Sequence, residues 1–356
     1  MAEPSLATGL DASPDVYLHK VDLTRDAALL VRLSESAYRA ASFLDDRMLT
    51  PGLKGAWAGL QSVLNASLAA TSSKPLHFIF HTGHVGSTLL SRLLDESGCV
   101  LSLREPLPLR TLADAHDVLT QPESLLSPQG FDSLEHALLR SWSRGYASTH
   151  SVILKATSSA CRIAARLLER MSSARAVYLN LGAEPYLATL LAGKNSGVDL
   201  RGHGPARIRR LQARVHAPLS ALHALSSGEL AAMSWLAETW NQHDTAAQFG
   251  SRVLALDFDE MLADVSGSVR RVSEHFQLPA DSRWLADIAR NPVLTRYSKS
   301  PEFEYSPQLR RELLRESRQN NAAQIAAGLR WLESLARAQP AVAAMLSAEA
   351  ATRRVG

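Results

Sequence analysis

The pattern with the clearest chemical meaning in this chain is His84-Val85-Gly86-Ser87-Thr88. It follows His77-Phe78-Ile79-Phe80-His81-Thr82-Gly83, a stretch apolar enough for a buried strand that ends on a first glycine. Leu89, Leu90, Leu93 and Leu94 come next at helical spacing, with Arg92, Asp95 and Glu96 opposite them. A strand, a glycine loop and a helix start aim backbone N–H groups at an oxyanion such as phosphate. Gly83 and Gly86 can take positive φ and let an anion approach the main chain. Ser87 and Thr88 add hydroxyl donors in the first helical turn. The loop is not that of nucleoside-triphosphate enzymes, which have four residues between the glycines and a Lys after the second. Here His84 and Val85 separate the glycines, and Ser87 follows.

Two further side chains stand where such a fold exposes its ligand crevice, just past strand ends. Glu105 lies in Leu103-Arg104-Glu105-Pro106 and can serve as a general base; otherwise it is a surface Glu paired with Arg104 or Arg110. Lys155 ends Ser151-Val152-Ile153-Leu154-Lys155 and can neutralise an anion or simply reach solvent. The stretch Arg201-Gly202-His203-Gly204-Pro205-Ala206-Arg207-Ile208-Arg209-Arg210 reads as a loop opening a helix, suited to a polyanion or to a solvated basic helix face. His77, His81 and His84 fall on a strand and in a loop without matching Cys or carboxylate residues, so no metal site is expected.

The positioning elements are predicted as short strands alternating with helices. Strands are expected at Cys99–Leu103, Ser151–Ala156, Arg175–Leu181 and Arg252–Phe258, and helices between them, which makes a three-layer α/β fold with a parallel sheet. Residues 1–74 read as a helical N-terminal extension, with helical periodicity over Ala27–Phe43 and Leu53–Ala69. The core spans residues 75–300, and a helical C-terminal extension covers residues 301–356.

The chain has 356 residues and a net charge of +3, a balance that argues against a nucleic-acid binder defined by bulk charge. Two cysteines, Cys99 and Cys161, imply no disulfide framework. No apolar run is long enough to cross a bilayer, and the start Met1-Ala2-Glu3-Pro4 lacks the basic and apolar regions of a signal peptide. A cytoplasmic protein is expected.

The stretch His84-Val85-Gly86-Ser87-Thr88 resembles the 5′-phosphosulfate loop of PAPS-dependent sulfotransferases, Lys/Arg-x-Gly-Thr/Ser-Thr after a strand, with His84 in the cation position. A second resemblance covers Arg252–Pro279, with Asp257-Phe258-Asp259-Glu260, Leu262-Ala263-Asp264 and Gln277-Leu278-Pro279 matching a strand, acidic turn and helix of that family. Together they span about residues 75–300.

This resemblance implies PAPS (3′-phosphoadenosine 5′-phosphosulfate) as sulfuryl donor and a small-molecule, carbohydrate or peptide acceptor. Gly83, Gly86, Ser87, Thr88 and Leu89 would hold the 5′-phosphosulfate, and His84 would face the leaving phosphate. In the tyrosylprotein type a catalytic Glu follows the loop cation by the 21 residues that separate Glu105 from His84. Lys155 matches a strand-end Lys, while Thr157 stands where soluble members place a catalytic His. At the family's 3′-phosphate positions, Leu181 replaces an Arg and Thr189 a Ser. Arg201, Arg207, Arg296 and Lys299 are the candidate substitutes. Two other readings stay open: a catalytically inactive nucleotide-binding protein, and a P-loop kinase or phosphotransferase.

Overall fold

A computed structural model describes residues 9–10, 13–70, 73–193, 196–215, 218–279, 281–298 and 302–355, with residue 282 and residues 351–355 described in backbone only. The chain opens with β1 (Val16–Asp22), β2 (Ala27–Arg32), α1 (Glu35–Ala40), β3 (Gly55–Gly59) and α2 (Leu60–Ala69). The core continues through β4 (Leu76–His81), α3 (Ser87–Asp95), β5 (Val100–Arg104), α4 (Leu107–Asp117), α5 (Pro128–Trp142), β6 (Ser151–Lys155) and α6 (Ala164–Arg170). Next come β7 (Ala176–Asn180), α7 (Ala183–Ala192), α8 (Ser196–Val215), α9 (Ser227–Phe249), β8 (Val253–Asp257), α10 (Phe258–Ala263), α11 (Val265–His275) and α12 (Ser282–Asp287). Helices α13 (Pro307–Asn320), α14 (Ala322–Ala338) and α15 (Pro340–Val355) end the described chain.

The five core strands form a parallel sheet in the order β5-β6-β4-β7-β8. Alternation along the strands feeds two cores. Phe78, Phe80, Leu103, Leu154 and Tyr178 face one, with α4, α5 and α6. Ile79, Val100, Ile153, Val177 and Leu256 face the other, with α3, α7, α8 and α9. Both faces are covered, which is why these strands are near-continuous apolar runs. This is the three-layer α/β architecture that the strand–helix alternation predicts.

The N-terminal region departs from the expected all-helical extension. Periodicity predicted a helix over Ala27–Phe43, but Ala27–Arg32 is a strand that pairs antiparallel with β1 on one side and β3 on the other. An apolar run such as Ala27-Ala28-Leu29-Leu30-Val31 fits either element, and neighbouring strands decided it. Among the described residues there, Glu35–Ala40 and Leu60–Ala69 are the α-helices, and Asp46–Met48 is a single 3-10 turn. Nor does the region form a separate core: Tyr17, Leu18, Leu30, Leu44 and Val63 join the cluster that holds Phe78 and Phe80. The predicted opening loop over Arg201–Arg210 is also corrected, since those residues lie inside α8 with Pro205 in its interior.

At the opposite end of the sheet from the strand-end loops, His77 stacks on Phe276 with ring centroids 5.1 Å apart, and its Nδ1 accepts from the Arg175 N–H at 3.1 Å. Burial, with the nearby charges of His275, Arg175 and His150, brings the ring down to about 4. The folded state therefore favours neutral His77, while the unfolded chain protonates it near the ordinary value of 6.5. Stability is fully present above that value and is lost as pH falls towards about 4, by roughly 3 kcal/mol from this ring. Urea midpoints at pH 7 and pH 4.5 should fall more steeply for the wild type than for His77→Gln. Equal slopes would show that the ring is not a source of acid lability.

Candidate active site

The loop after β4 sits at the switch point of the sheet. From β4 the chain goes to β5 and β6 on one side and later to β7 and β8 on the other. A crevice opens at such a point, outside the carboxyl ends of the strands. Three residues of the loop have left-handed backbones: Gly83 (φ 104°), His84 (φ 56°) and Gly86 (φ 71°). Gly86 is the N-cap of α3 and provides no side-chain cap. The first-turn N–H groups of that helix thus lack the usual side-chain acceptor. The buried hydroxyls of Thr82 and Thr88, on either side of the loop, have no hydrogen-bond partner among the described residues. A loop and helix start of this kind present backbone N–H groups in the manner that suits an oxyanion.

The loop is braced from beneath. His81 Nε2 donates to the Ala156 carbonyl at 2.9 Å, and its Nδ1 accepts from the Gly83 N–H at 3.1 Å. The Gly83 N–H is therefore spent inside the protein, and His81 serves as a prop rather than a ligand. The Tyr186 hydroxyl donates to the Thr82 carbonyl at 3.1 Å. Gly86 has a second reason to be glycine. A Cβ there would lie 2.1 Å from Cε2 of Phe258.

Glu105 and Lys155 meet. Lys155 is wholly buried and its ammonium donates to Oε1 of Glu105. Arg110 stands 3.8 Å from Oε2 of the same carboxylate. Arg104, adjacent in sequence, turns to the other face and pairs with Asp95. Glu105 holds a left-handed backbone, φ 57°, which costs a residue with a Cβ about 1–2 kcal/mol. Its N–H continues the ladder to the Lys155 carbonyl at 2.7 Å. Because β6 lies between β5 and β4, Glu105 stands two strand spacings from the loop, about 10 Å. That gap is wide enough for a transferring group and the acceptor that receives it.

The expected 3′-phosphate positions are occupied otherwise. Leu181 is buried and its carbonyl accepts from Trp235 Nε1 at 2.8 Å. The Thr189 hydroxyl donates to the Pro185 carbonyl at 2.7 Å, so its proton is used. Arg207 is buried and paired with Glu238, Nε to Oε1 at 3.1 Å. Arg201 is exposed on α8. Arg296 is exposed on a stretch that lies against α3, where Arg92 donates to the Ser298 carbonyl at 2.9 Å. Lys299 lies outside the described residues.

Several contributors had no sequence signal. The Phe43 ring lies 5.7 Å from Lys155 Nζ, and Arg47 stacks on that ring at 3.6 Å. Both come from the N-terminal region, and nothing local marks a contact across sixty or more residues. Ser158, near Gly83, stands three residues past the end of β6, and unlike Phe43 and Arg47 it had a signal, its place after a strand end.

Fold and site together define a class: a doubly wound α/β protein with a glycine loop, a helix start and a buried carboxylate–ammonium pair at one sheet edge. No family model matches the chain, and no curated protein matches it. Among solved structures, it is similar to the sulfotransferase domain from the curacin biosynthetic pathway, at 13% identity and TM-score 0.38, over 74% of this chain and 98% of that one. It is also similar to a sulfotransferase from Mycobacterium avium at 14% identity and TM-score 0.40, over 72% of this chain and 79% of that one. A mouse sulfotransferase complexed with PAP is similar at 9% identity and TM-score 0.35, over 74% and 92% of the two chains. With overlaps of this size, function must be argued from the residues at the crevice.

Proposed function

We propose that the chain is a sulfotransferase that moves a sulfuryl group from PAPS to a hydroxyl acceptor. The observation that carries this reading is the shared edge: an anion cradle after β4 and, two strands away, a strained Glu105 held by a buried Lys155. PAPS supplies an activated sulfonate on a good leaving group. The α3 start, Ser87 and Thr88 would hold its 5′-phosphosulfate. Glu105 takes the acceptor proton as the acceptor oxygen bonds to sulfur. The bond from sulfur to the bridging oxygen breaks, and its electron pair stays on the phosphate. Lys155 fixes the Glu105 carboxylate through Oε1, while Oε2 stands 3.8 Å from Arg110. His84 stands on the loop where charge develops on the leaving phosphate. Positioning and charge stabilisation dominate such transfers. At the 3′-phosphate, the exposed Arg296 and Arg201 are the candidates left among the described residues, since Arg207 is engaged by Glu238.

The orphan hydroxyl of Thr88 supplies the test. In the free protein Thr88→Val removes a hydroxyl with no partner among the described residues, so the melting temperature should hold or rise. With ligand the same change removes a hydrogen bond to a charged group. The affinity for 3′,5′-ADP should fall about tenfold or more. Calorimetry with 3′,5′-ADP, 5′-AMP and ATP–magnesium checks both the loop and the nucleotide preference. Unchanged 3′,5′-ADP affinity in Thr88→Val, or a preference for ATP, would sink the reading.

A further inference from the structure

The N-terminal region closes one side of the crevice at Glu105. Arg104 anchors it: its guanidinium donates to the carbonyls of Tyr38 at 3.2 Å and Ala41 at 2.8 Å, and its own carbonyl accepts from the Leu44 N–H at 2.7 Å. That grip seats Phe43 beside Lys155 and brings Asp45 and Arg47 to the mouth. Arg47 Nε donates to both oxygens of Asp45, at 2.8 and 3.0 Å.

The charges around this mouth do not cancel. Lys155 balances Glu105, and Arg47 balances Asp45. Arg110 is then the surplus cation. Its 3.8 Å separation from Glu105 is too long for a hydrogen bond, and its buried Nε has no hydrogen-bond partner among the described residues. The guanidinium groups and the carboxylates also differ in depth. The Glu105 and Asp45 side chains are only 11% and 10% exposed, whereas those of Arg110 and Arg47 are 39% and 60% exposed. A molecule that approaches the base meets guanidinium groups first. Electrostatics tie the two halves of the mouth together. Burial alone would raise the Asp45 carboxyl, but Arg47, with Arg110 behind it, takes it below its ordinary value.

Resting on the sulfotransferase reading, we propose that the acceptor carries an oxyanion of its own, a carboxylate or phosphate, held chiefly by Arg110 and secondarily by Arg47 while its hydroxyl meets Glu105. A guanidinium fork matches either oxyanion through two parallel hydrogen bonds. An acceptor hydroxyl must come within about 2.6–3.2 Å of the base to give up its proton. With Arg110 beside the same carboxylate, the oxyanion lies only a few bonds from that hydroxyl.

The experiment measures binding to the full chain saturated with 3′,5′-ADP, so it needs no turnover. The probes are two matched pairs: 4-hydroxyphenylacetate with its methyl ester, and glucose 6-phosphate with glucose. The first pair reports on carboxylate, the second on phosphate. In at least one pair the anionic member should bind about tenfold to a hundredfold tighter, with a margin that shrinks at high salt. Arg110→Gln should collapse that margin and Arg47→Gln should narrow it. Neutral members that bind as well as their anions in both pairs, or a margin that survives Arg110→Gln, overturn the proposal, as does a lack of binding by both anions. If 3′,5′-ADP itself does not bind the wild type, the sulfotransferase reading fails instead, and the acceptor proposal falls with it.

Discussion

Glu105→Gln should reduce turnover by about 10²–10⁴-fold, the range typical of a lost general base, while affinity for 3′,5′-ADP holds. The amide keeps the shape of the carboxylate and removes its capacity to take a proton. The same change leaves the wholly buried Lys155 ammonium without its anion. Removal of one member of a buried pair costs about 3–5 kcal/mol, so the melting temperature should drop as well. Loss of activity through loss of fold must therefore be separated from loss of the base. Lys155→Met in the same chain removes the stranded charge. The double variant should recover stability and nucleotide affinity, and its turnover should stay low. A folded Glu105→Gln protein with near-normal turnover would remove Glu105 from the mechanism. Recovery of turnover in the double variant would show that the pair is structural.

Gly86→Ala should be the most damaging small change in the loop. The backbone there has φ 71°, where a Cβ costs about 1–2 kcal/mol. The added carbon would also sit 2.1 Å from Cε2 and 2.6 Å from Cδ2 of Phe258. That ring has little room to yield, because it is buried and Arg310 lies over it at 4.8 Å from the ring centroid. Overpacking of this kind adds about 1–3 kcal/mol, so the total loss should reach about 2–5 kcal/mol. A double-mutant cycle with Phe258→Ala divides the two causes. Gly86→Ala should cost less in the Phe258→Ala background, because the steric part is gone and the backbone part remains. Equal costs in both backgrounds would show that the ring does not constrain the loop. A Gly86→Ala chain as stable as the wild type would contradict both causes.

What the sequence alone determined was local. The loop was legible because strand, glycines, hydroxyl pair and helix start are contiguous from His77 to Leu94. Each feature follows from backbone conformation and periodicity, which neighbouring residues set. The five parallel strands were legible for the same reason: with both faces buried they stand out as short apolar runs. Glu105 and Lys155 could be placed at strand ends, yet only the sheet order decides that β6 lies beside β5 and brings the two together.

Where contacts are long-range, tertiary structure decided. Ala27–Arg32 has the composition of either a helix or a strand, and pairing with β1 and β3 selects the strand. Arg207 looks available in sequence, but Glu238 on α9 takes it. Gly86 looks like an allowance for a phosphate, whereas its sharpest constraint is a ring 172 residues further along the chain. Phe43, Asp45 and Arg47 carry no motif at all. They reach the crevice because Arg104 holds the Ala41 carbonyl and the Leu44 N–H. Side-chain type and spacing specify what a residue is able to do; burial, pairing and the fold's closure specify which of those capacities is left for chemistry.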